Sequence, residues 1–173
     1  MNAAESAGAA APATGPAALG APGRPALGVY RTVGEKGTRG VDNFARWLGV
    51  PVRLGHDSMP TNATWDHISG RNLEWLLVPW SKWKKEAAGR RFVLSVSILA
   101  GPWDLSGPRI GTDAGKQVSH EAGARGEYNH HFKSLAEQLV QAGLEDSLLR
   151  LGWEMNGGWY PWRAAGHEEA YAG

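Results

Sequence analysis

The chain has 173 residues, of which 42% are apolar, a net charge of +1 and no cysteine. The length suits one domain or part of a larger one, and the near-neutral charge argues against a nucleic-acid partner. The lack of thiols excludes disulfides and thiolate metal sites, and no apolar run is long enough for a membrane span. Nine tryptophans predict, besides core packing, a surface that stacks on a flat ligand, and the weak charge favours a sugar over a nucleobase.

The first stretch of the chain, residues 1–25, is rich in Ala, Gly and Pro and has almost no large apolar side chains. Such a segment cannot bury enough surface to offset the entropy of ordering, so we predict a disordered leader before a domain over 26–173. It has no basic segment followed by an apolar core, so no intact signal peptide is visible.

Strand and helix patterns alternate after the leader. Short apolar segments are the strand candidates, at 26–30, 51–57, 91–99 and 147–153. Apolar residues at helical spacing, or capping signals, mark the helix candidates, at 41–49, 64–69, 78–89, 127–143 and from 167 onward. Tryptophans on these helices are expected to be core residues, namely Trp47, Trp65, Trp80 and Trp83.

Four strand–helix units in succession predict an α/β fold with a parallel sheet and helical crossovers. The connections that follow the strands are long, at 57–63, 100–126 and 155–166, and the last of them holds Trp159, Tyr160 and Trp162. In a TIM-type (β/α) barrel these loops carry the functional site, and a closed barrel needs eight units and about 250 residues. We therefore expect either an open sheet or the first four units of a barrel, a half barrel.

Glu154 follows the fourth predicted strand and is the single acid in an aromatic, Gly-rich segment. Side-chain alternation would place Arg150 and Glu154 on the inner face of the sheet, with Leu149, Leu151 and Trp153 facing the helices. Arg150 would then support the carboxylate, or form a structural ion pair with it. The loop "NGGWYPW" (156–162) favours a ligand role for this acid.

That loop offers the groups that sugar binding requires. Asn156 can hydrogen-bond to hydroxyl groups, and the two glycines after it let the backbone turn sharply. Flat faces with polar tips are supplied by the aromatic residues of the loop, Trp159, Tyr160 and Trp162.

The segment "RLGWEMNGGWYPW" (150–162) resembles the acid/base motif of glycoside hydrolase family 26, the β-mannanase family of clan A. In that family a His-Glu pair ends the fourth barrel strand and is followed by Asn-Gly and an aromatic run. A looser similarity extends to "GVY", "FARWLG", "TWDHI" and the "GPW" after the third strand, so that it spans about 27–165. Trp153 stands where mannanases carry His.

The resemblance implies a (β/α)8 glycosidase with no cofactor that hydrolyses a β-linked polysaccharide, β-mannan or a related β-glycan, with retention. Glu154 would be the general acid/base, and Asn156, Trp159 and Trp162 would line sugar subsites. The nucleophile of the family is a second glutamate on the seventh strand. We therefore expect it on a C-terminal half, and we expect this chain alone to be inactive or nearly so.

Either stereochemical course needs a second carboxyl group, about 5–5.5 Å away for retention and about 6.5–9.5 Å away for inversion. Asp57 and Asp104 both follow strands. Asp57 is interpreted as a loop or helix-cap acid, with a catalytic role or a substrate contact as the alternative, and Asp104 as a turn former or a hydroxyl acceptor. His56 and Trp103 lie at or just past strand ends and are candidate substrate contacts, with packing under the loop equally open for Trp103.

The six histidines do not predict a metal site. His130 and His131 are adjacent on a predicted helix and should point apart, and His56 with Asp57 lacks a third ligand. The rival hypotheses are a non-catalytic carbohydrate-binding protein that uses the tryptophan-rich face, and a structural domain whose aromatics are all core. The expected partner of an enzyme or of a carbohydrate-binding protein is an oligo- or polysaccharide, and the oligomeric state stays open. A polymeric substrate favours secretion, with a cytoplasmic location as the alternative.

Overall fold

The computed structural model describes residues 25–101, 103–104, 107–108 and 110–172, with the backbone alone for 103–104 and 107–108. The predicted leader lies outside the described residues apart from its last position. No helix in the described part of the chain combines the length and the apolar character needed to cross a membrane.

A four-stranded parallel sheet organises the domain. From one edge of the sheet to the other, its strands follow their order in the chain. They are β1 (Gly28–Tyr30), β2 (Leu54–Ser58), β3 (Arg91–Val96) and β8 (Leu148–Leu151). The helices are α1 (Gly34–Leu48), α2 (Trp65–Ile68), α3 (Glu74–Lys85), α4 (His120–Ala124), α5 (Asn129–Gln141) and α6 (Glu168–Ala172). The predicted α/β class and the parallel sheet are confirmed, and the described residues do not form a closed barrel.

The connection after β3 contains two short antiparallel pairs. In the first, β4 (Trp103–Asp104) pairs with β5 (Gly107–Pro108), and in the second, β6 (Thr112–Asp113) pairs with β7 (Lys116–Gln117). No strand was predicted within this connection, because two-residue strands are too short for an alternating pattern to be visible.

The register of the sheet separates a polar face from an apolar one. Ser58 of β2 is level with Ser95 of β3, and Ser95 is level with Arg150 of β8. Because side chains alternate along a strand, His56 shares this polar face. The opposite face of β3 is apolar, and its members are fully buried, namely Phe92, Leu94 and Val96.

The core beneath the apolar face is built on tryptophan. The Trp80 ring stacks on Phe92 with centroids 5.0 Å apart and meets Trp83 edge-on at 5.2 Å. These rings fit only because residue 55 has no side chain, since a Cβ on Gly55 would lie 2.2 Å from the Trp80 ring. The core assignments of Trp80, Trp83 and Trp65 are confirmed.

Two predictions about exposed apolar residues are wrong. Trp47, expected in the core, is 78% exposed and contacts Phe44 at the end of α1. Leu149 and Leu151, expected to face helices, are 46% and 57% exposed. They lie on β8, an outer strand of the sheet, and α6, the helix that follows β8, packs on α4.

Two helices begin earlier than predicted. The predicted helix at 41–49 extends back to Gly34, and the one at 78–89 begins at Glu74, which places Pro79 inside the helix and not at its first position. Leu76, Leu77, Trp80 and Trp83 are all buried at helical spacing, so tertiary packing holds α3 together through the proline.

Candidate functional site

An open cleft of about 510 Å³ lies where the carboxyl ends of β1, β2 and β8 meet. This is the edge at which open and closed α/β sheets bind ligands. Its lining combines one acid, one cation and several aromatic rings, in the set Tyr30, Val33, His56, Ser58, Met59, Pro60, Thr61, Trp75, Arg150, Trp153, Glu154 and Tyr160.

His56 is held on the polar face of β2. Its Nε2 lies 2.7 Å from Ser95 Oγ on β3, and its ring is tilted against Tyr30 with centroids 5.3 Å apart. Burial lowers the pKa of His56, and the Arg150 charge lowers it further. The imidazole is therefore neutral near pH 7, able to exchange a hydrogen bond with a sugar hydroxyl as donor or acceptor.

Glu154 reaches the cleft through a turn and not by strand alternation. Strand β8 ends at Leu151, and the backbone then adopts left-handed φ values at Gly152 (50°) and Glu154 (55°). The Gly157 N–H donates to the Glu154 carbonyl at 2.7 Å and closes the turn. A left-handed glutamate is uncommon, and such backbone outliers concentrate at functional sites.

Arg150 and Glu154 both line the cleft, yet no ion pair joins them among the described residues. The structural ion pair considered for them is therefore absent. Both side chains are exposed, and this leaves an acid and a cation available to a ligand in the same cleft.

Trp162 is not a subsite residue in this structure. It is fully buried, its Nε1 donates to the Trp153 carbonyl at 2.8 Å, and it stacks on Tyr160 at 4.6 Å. Trp153 completes this aromatic cluster. The prediction for Trp162 is corrected because its ring supports the loop from below, while Tyr160 contributes to the cleft lining.

Asn156 and Trp159 are exposed but do not line the cleft. The Trp159 ring lies over its own loop, since a Cβ on Gly157 would be 2.7 Å from Trp159 Cε2. Gly157 therefore makes room for the Trp159 indole. A sugar contact by either side chain stays a prediction.

Asp57 is fully buried and faces away from the cleft. Its Oδ2 accepts from Gly34 N at 2.7 Å and Trp80 Nε1 at 2.6 Å, and its Oδ1 accepts from Ser58 N at 2.7 Å. Burial raises the pKa of Asp57, and the three donors oppose that change. The helix-cap interpretation fits these contacts, and the substrate contact predicted for Asp57 does not.

Two predicted site residues lie outside the described side chains, and two residues that line the cleft were not predicted. The Trp103 and Asp104 side chains lie outside the described part of the chain, so their roles stay predictions. Tyr30 and Trp75 line the cleft and were not named as site residues. The signal for Tyr30 was present, because it ends the first strand, whereas Trp75 comes from the start of a helix whose first turn was missed.

One group outside the cleft has the donor atoms of a metal site. Asp113, His130 and His131 each place a ligand atom within 4.8 Å of the others. The prediction that the two adjacent histidines point apart is wrong, since their ring centroids are 3.9 Å apart.

The chain matches no family model. Comparisons with curated proteins and with solved structures likewise give no significant match.

Proposed function

We propose that the cleft binds a β-linked oligo- or polysaccharide and that Glu154 is the general acid/base of a retaining glycoside hydrolase of the family 26 type. The observation that carries the proposal is an exposed carboxylate on a left-handed turn at the carboxyl end of a parallel strand, inside a cleft walled by Tyr30, Trp75 and Tyr160. Aromatic faces suit the C–H faces of sugar rings, and a carboxyl group between them suits proton transfer.

Each polar residue has a role in this proposal. Glu154 would protonate the departing glycosidic oxygen and then take a proton from the attacking water. His56 and Arg150 would form hydrogen bonds with sugar hydroxyls. β-Mannan is the first substrate to test, and related β-glycans follow, because Trp153 replaces the histidine of mannanases.

The nucleophile has to come from elsewhere. Glu154 is the only acid among the described residues that line the cleft, and retention needs a second carboxyl group about 5–5.5 Å away. We propose that sequence beyond residue 173 supplies it as part of a (β/α)8 barrel. The sequential strand order β1-β2-β3-β8 supports the half-barrel arrangement, and the helices of further strand–helix units beside β8 would cover Leu149 and Leu151.

Binding is the first test, made on the 173-residue chain with β-1,4-mannohexaose by calorimetry. We expect Trp75→Ala to weaken binding about tenfold, as loss of one stacked ring implies, and Glu154→Gln to retain affinity. Trp47→Ala is the matched control, because Trp47 is an exposed tryptophan outside the cleft. Equal losses of affinity in Trp75→Ala and Trp47→Ala would contradict sugar binding in this cleft.

Turnover is the second test, made on the protein with its downstream sequence. We expect hydrolysis of a β-glycan there, and a fall in kcat of about 10²–10⁴-fold in Glu154→Gln. The single acid in the cleft also favours a second candidate, a carbohydrate-binding protein without catalysis. That candidate is supported if the longer protein binds sugar but releases no product, and hydrolysis unaffected by Glu154→Gln would contradict the assignment of Glu154.

A further inference from the structure

A three-residue cluster lies between the β6–β7 hairpin and the start of α5, outside the cleft. Asp113 ends β6, immediately before the left-handed turn residues Ala114 and Gly115. His130 and His131 are in the first turn of α5. The hairpin and the helix are distant in sequence, so the cluster depends on the fold.

His131 is oriented as a metal ligand would be. It is 6% exposed, its ring stacks on Trp65 with centroids 4.2 Å apart, and its Nδ1 lies 2.8 Å from Ser69 Oγ. Metal-bound histidines use their second ring nitrogen in this way, because the hydrogen bond fixes both the ring orientation and the tautomer. The arrangement leaves Nε2 to face the other members of the cluster.

The Nε2 atom of His131 is a buried polar atom without a hydrogen bond. Buried polar atoms in folded proteins nearly always have a partner. Asp113 Oδ1 lies 3.4 Å from this nitrogen, too far for a good hydrogen bond. Two donor atoms on one tetrahedral zinc ion, with bonds of ~2.0–2.1 Å, are about 3.3 Å apart, so this separation suits a shared ion.

We propose that Asp113, His130 and His131 bind one Zn²⁺ ion. Two imidazoles and one carboxylate form a donor set that zinc accepts, and they leave a fourth position open. His130 is exposed, so water can occupy that position. The ion would fasten the hairpin in the loop after β3 to α5, independently of any sugar bound in the cleft.

The test titrates the metal-free 173-residue chain with ZnCl₂ by calorimetry and with CoCl₂ by visible absorption. We expect one ion per chain and the intense visible bands of four-coordinate Co²⁺. Asp113→Asn and His130→Gln should each weaken Zn²⁺ binding at least tenfold. Both positions are at least partly exposed, so the variants should fold, and circular dichroism checks that they do.

His167→Gln is the matched control, because His167 contacts the carboxylate of Glu121 at 3.3 Å in a different histidine group. It should retain wild-type Zn²⁺ affinity and the Co²⁺ spectrum. The proposal is overturned if Asp113→Asn and His130→Gln bind Zn²⁺ as the wild type does, if His167→Gln abolishes binding, or if no saturable binding occurs.

Discussion

Asp57 shows how one side chain can connect three elements of this fold. It lies on β2, accepts the first N–H of α1 from Gly34 and accepts the indole N–H of Trp80 on α3. Both partners are 23 positions away in sequence, so no local pattern reveals them. Adjacent strand residues point to opposite faces, and this rule alone implies that His56 and Asp57 cannot both line the cleft.

We predict that Asp57→Asn destabilises the protein by about 2 kcal/mol, because a buried charged acceptor is replaced by an amide that leaves one donor unmatched. Urea unfolding at pH 7 measures the difference. Asp66→Asn is the matched control, since Asp66 pairs with Arg71 at an exposed site and should change stability by less than about 1 kcal/mol. Equal losses in the two variants would show that the Asp57 contacts do not carry the expected stabilisation.

Glu154 shows what the sequence motif and the alternation of side chains along a strand can each predict. The motif predicted a functional acid after the fourth strand, and the structure places Glu154 in the cleft. Alternation predicted the route wrongly, because it assumed an extended chain through Gly152, where φ is 50°. The prediction that Trp162 lines a sugar subsite failed for a related reason, because consecutive aromatic residues in a loop do not show which ring faces inward.

At the level of elements, the starts of α1 and α3 were the parts that local sequence did not reveal. Glycines at 34, 37 and 40 disfavour a helix by propensity, and Pro79 suggested a helix start. Close packing overrides both signals. A Cβ on Gly37 would lie 2.4 Å from the Thr32 carbonyl, and one on Gly34 would lie 2.9 Å from the Trp75 carbonyl, so these positions need glycine because other backbone segments approach them.

Gly34, the first residue of α1, and Gly49, which follows its last residue, offer a paired prediction. Gly34 and Gly49 both have left-handed φ values, 58° and 73°, but a Cβ on Gly49 would meet nothing within 4 Å. We expect Gly49→Ala to cost about 1 kcal/mol from backbone strain alone. Gly34→Ala should cost about 3 kcal/mol or more, because the clash with Trp75 adds to the strain. Urea unfolding of both variants measures the gap, and equal losses would contradict the packing argument.

At the scale of the whole molecule, the alternation of strand and helix patterns predicted the parallel sheet. This was possible because each strand or helix pattern can be recognised within a single segment of the sequence. Sheet closure depends on contacts between segments far apart and could not be predicted in this way. The same limit applies to the cluster of Asp113, His130 and His131. Sequence spacing along α5 suggested that the two histidines diverge, and the hairpin that brings Asp113 to them was not recognised.

Three buried or half-buried histidines are expected to make the fold sensitive to acid. Burial is the main cause that lowers the pKa of His56, His120 and His131 below the ordinary 6.5. Near that pH the unfolded chain therefore binds more protons than the folded one, so stability falls as the pH decreases. His120 is 5% exposed, and His167, whose ring stacks on it, lowers the pKa of His120 further, so protonation there is unfavourable.

We predict that the free energy of unfolding decreases from about pH 7.5 to about pH 5.5, a range in which histidines titrate and carboxylates mostly do not. His120→Phe keeps an aromatic ring against His167 and removes one titrating group, so its slope should be shallower. His67→Gln is the control for folding, because glutamine preserves the capping box with Thr64, and its free energy of unfolding at pH 7.5 should match the wild type. Urea unfolding with a chelator present separates proton binding from metal binding, and a wild-type slope in His120→Phe would exclude His120 as a cause of acid sensitivity.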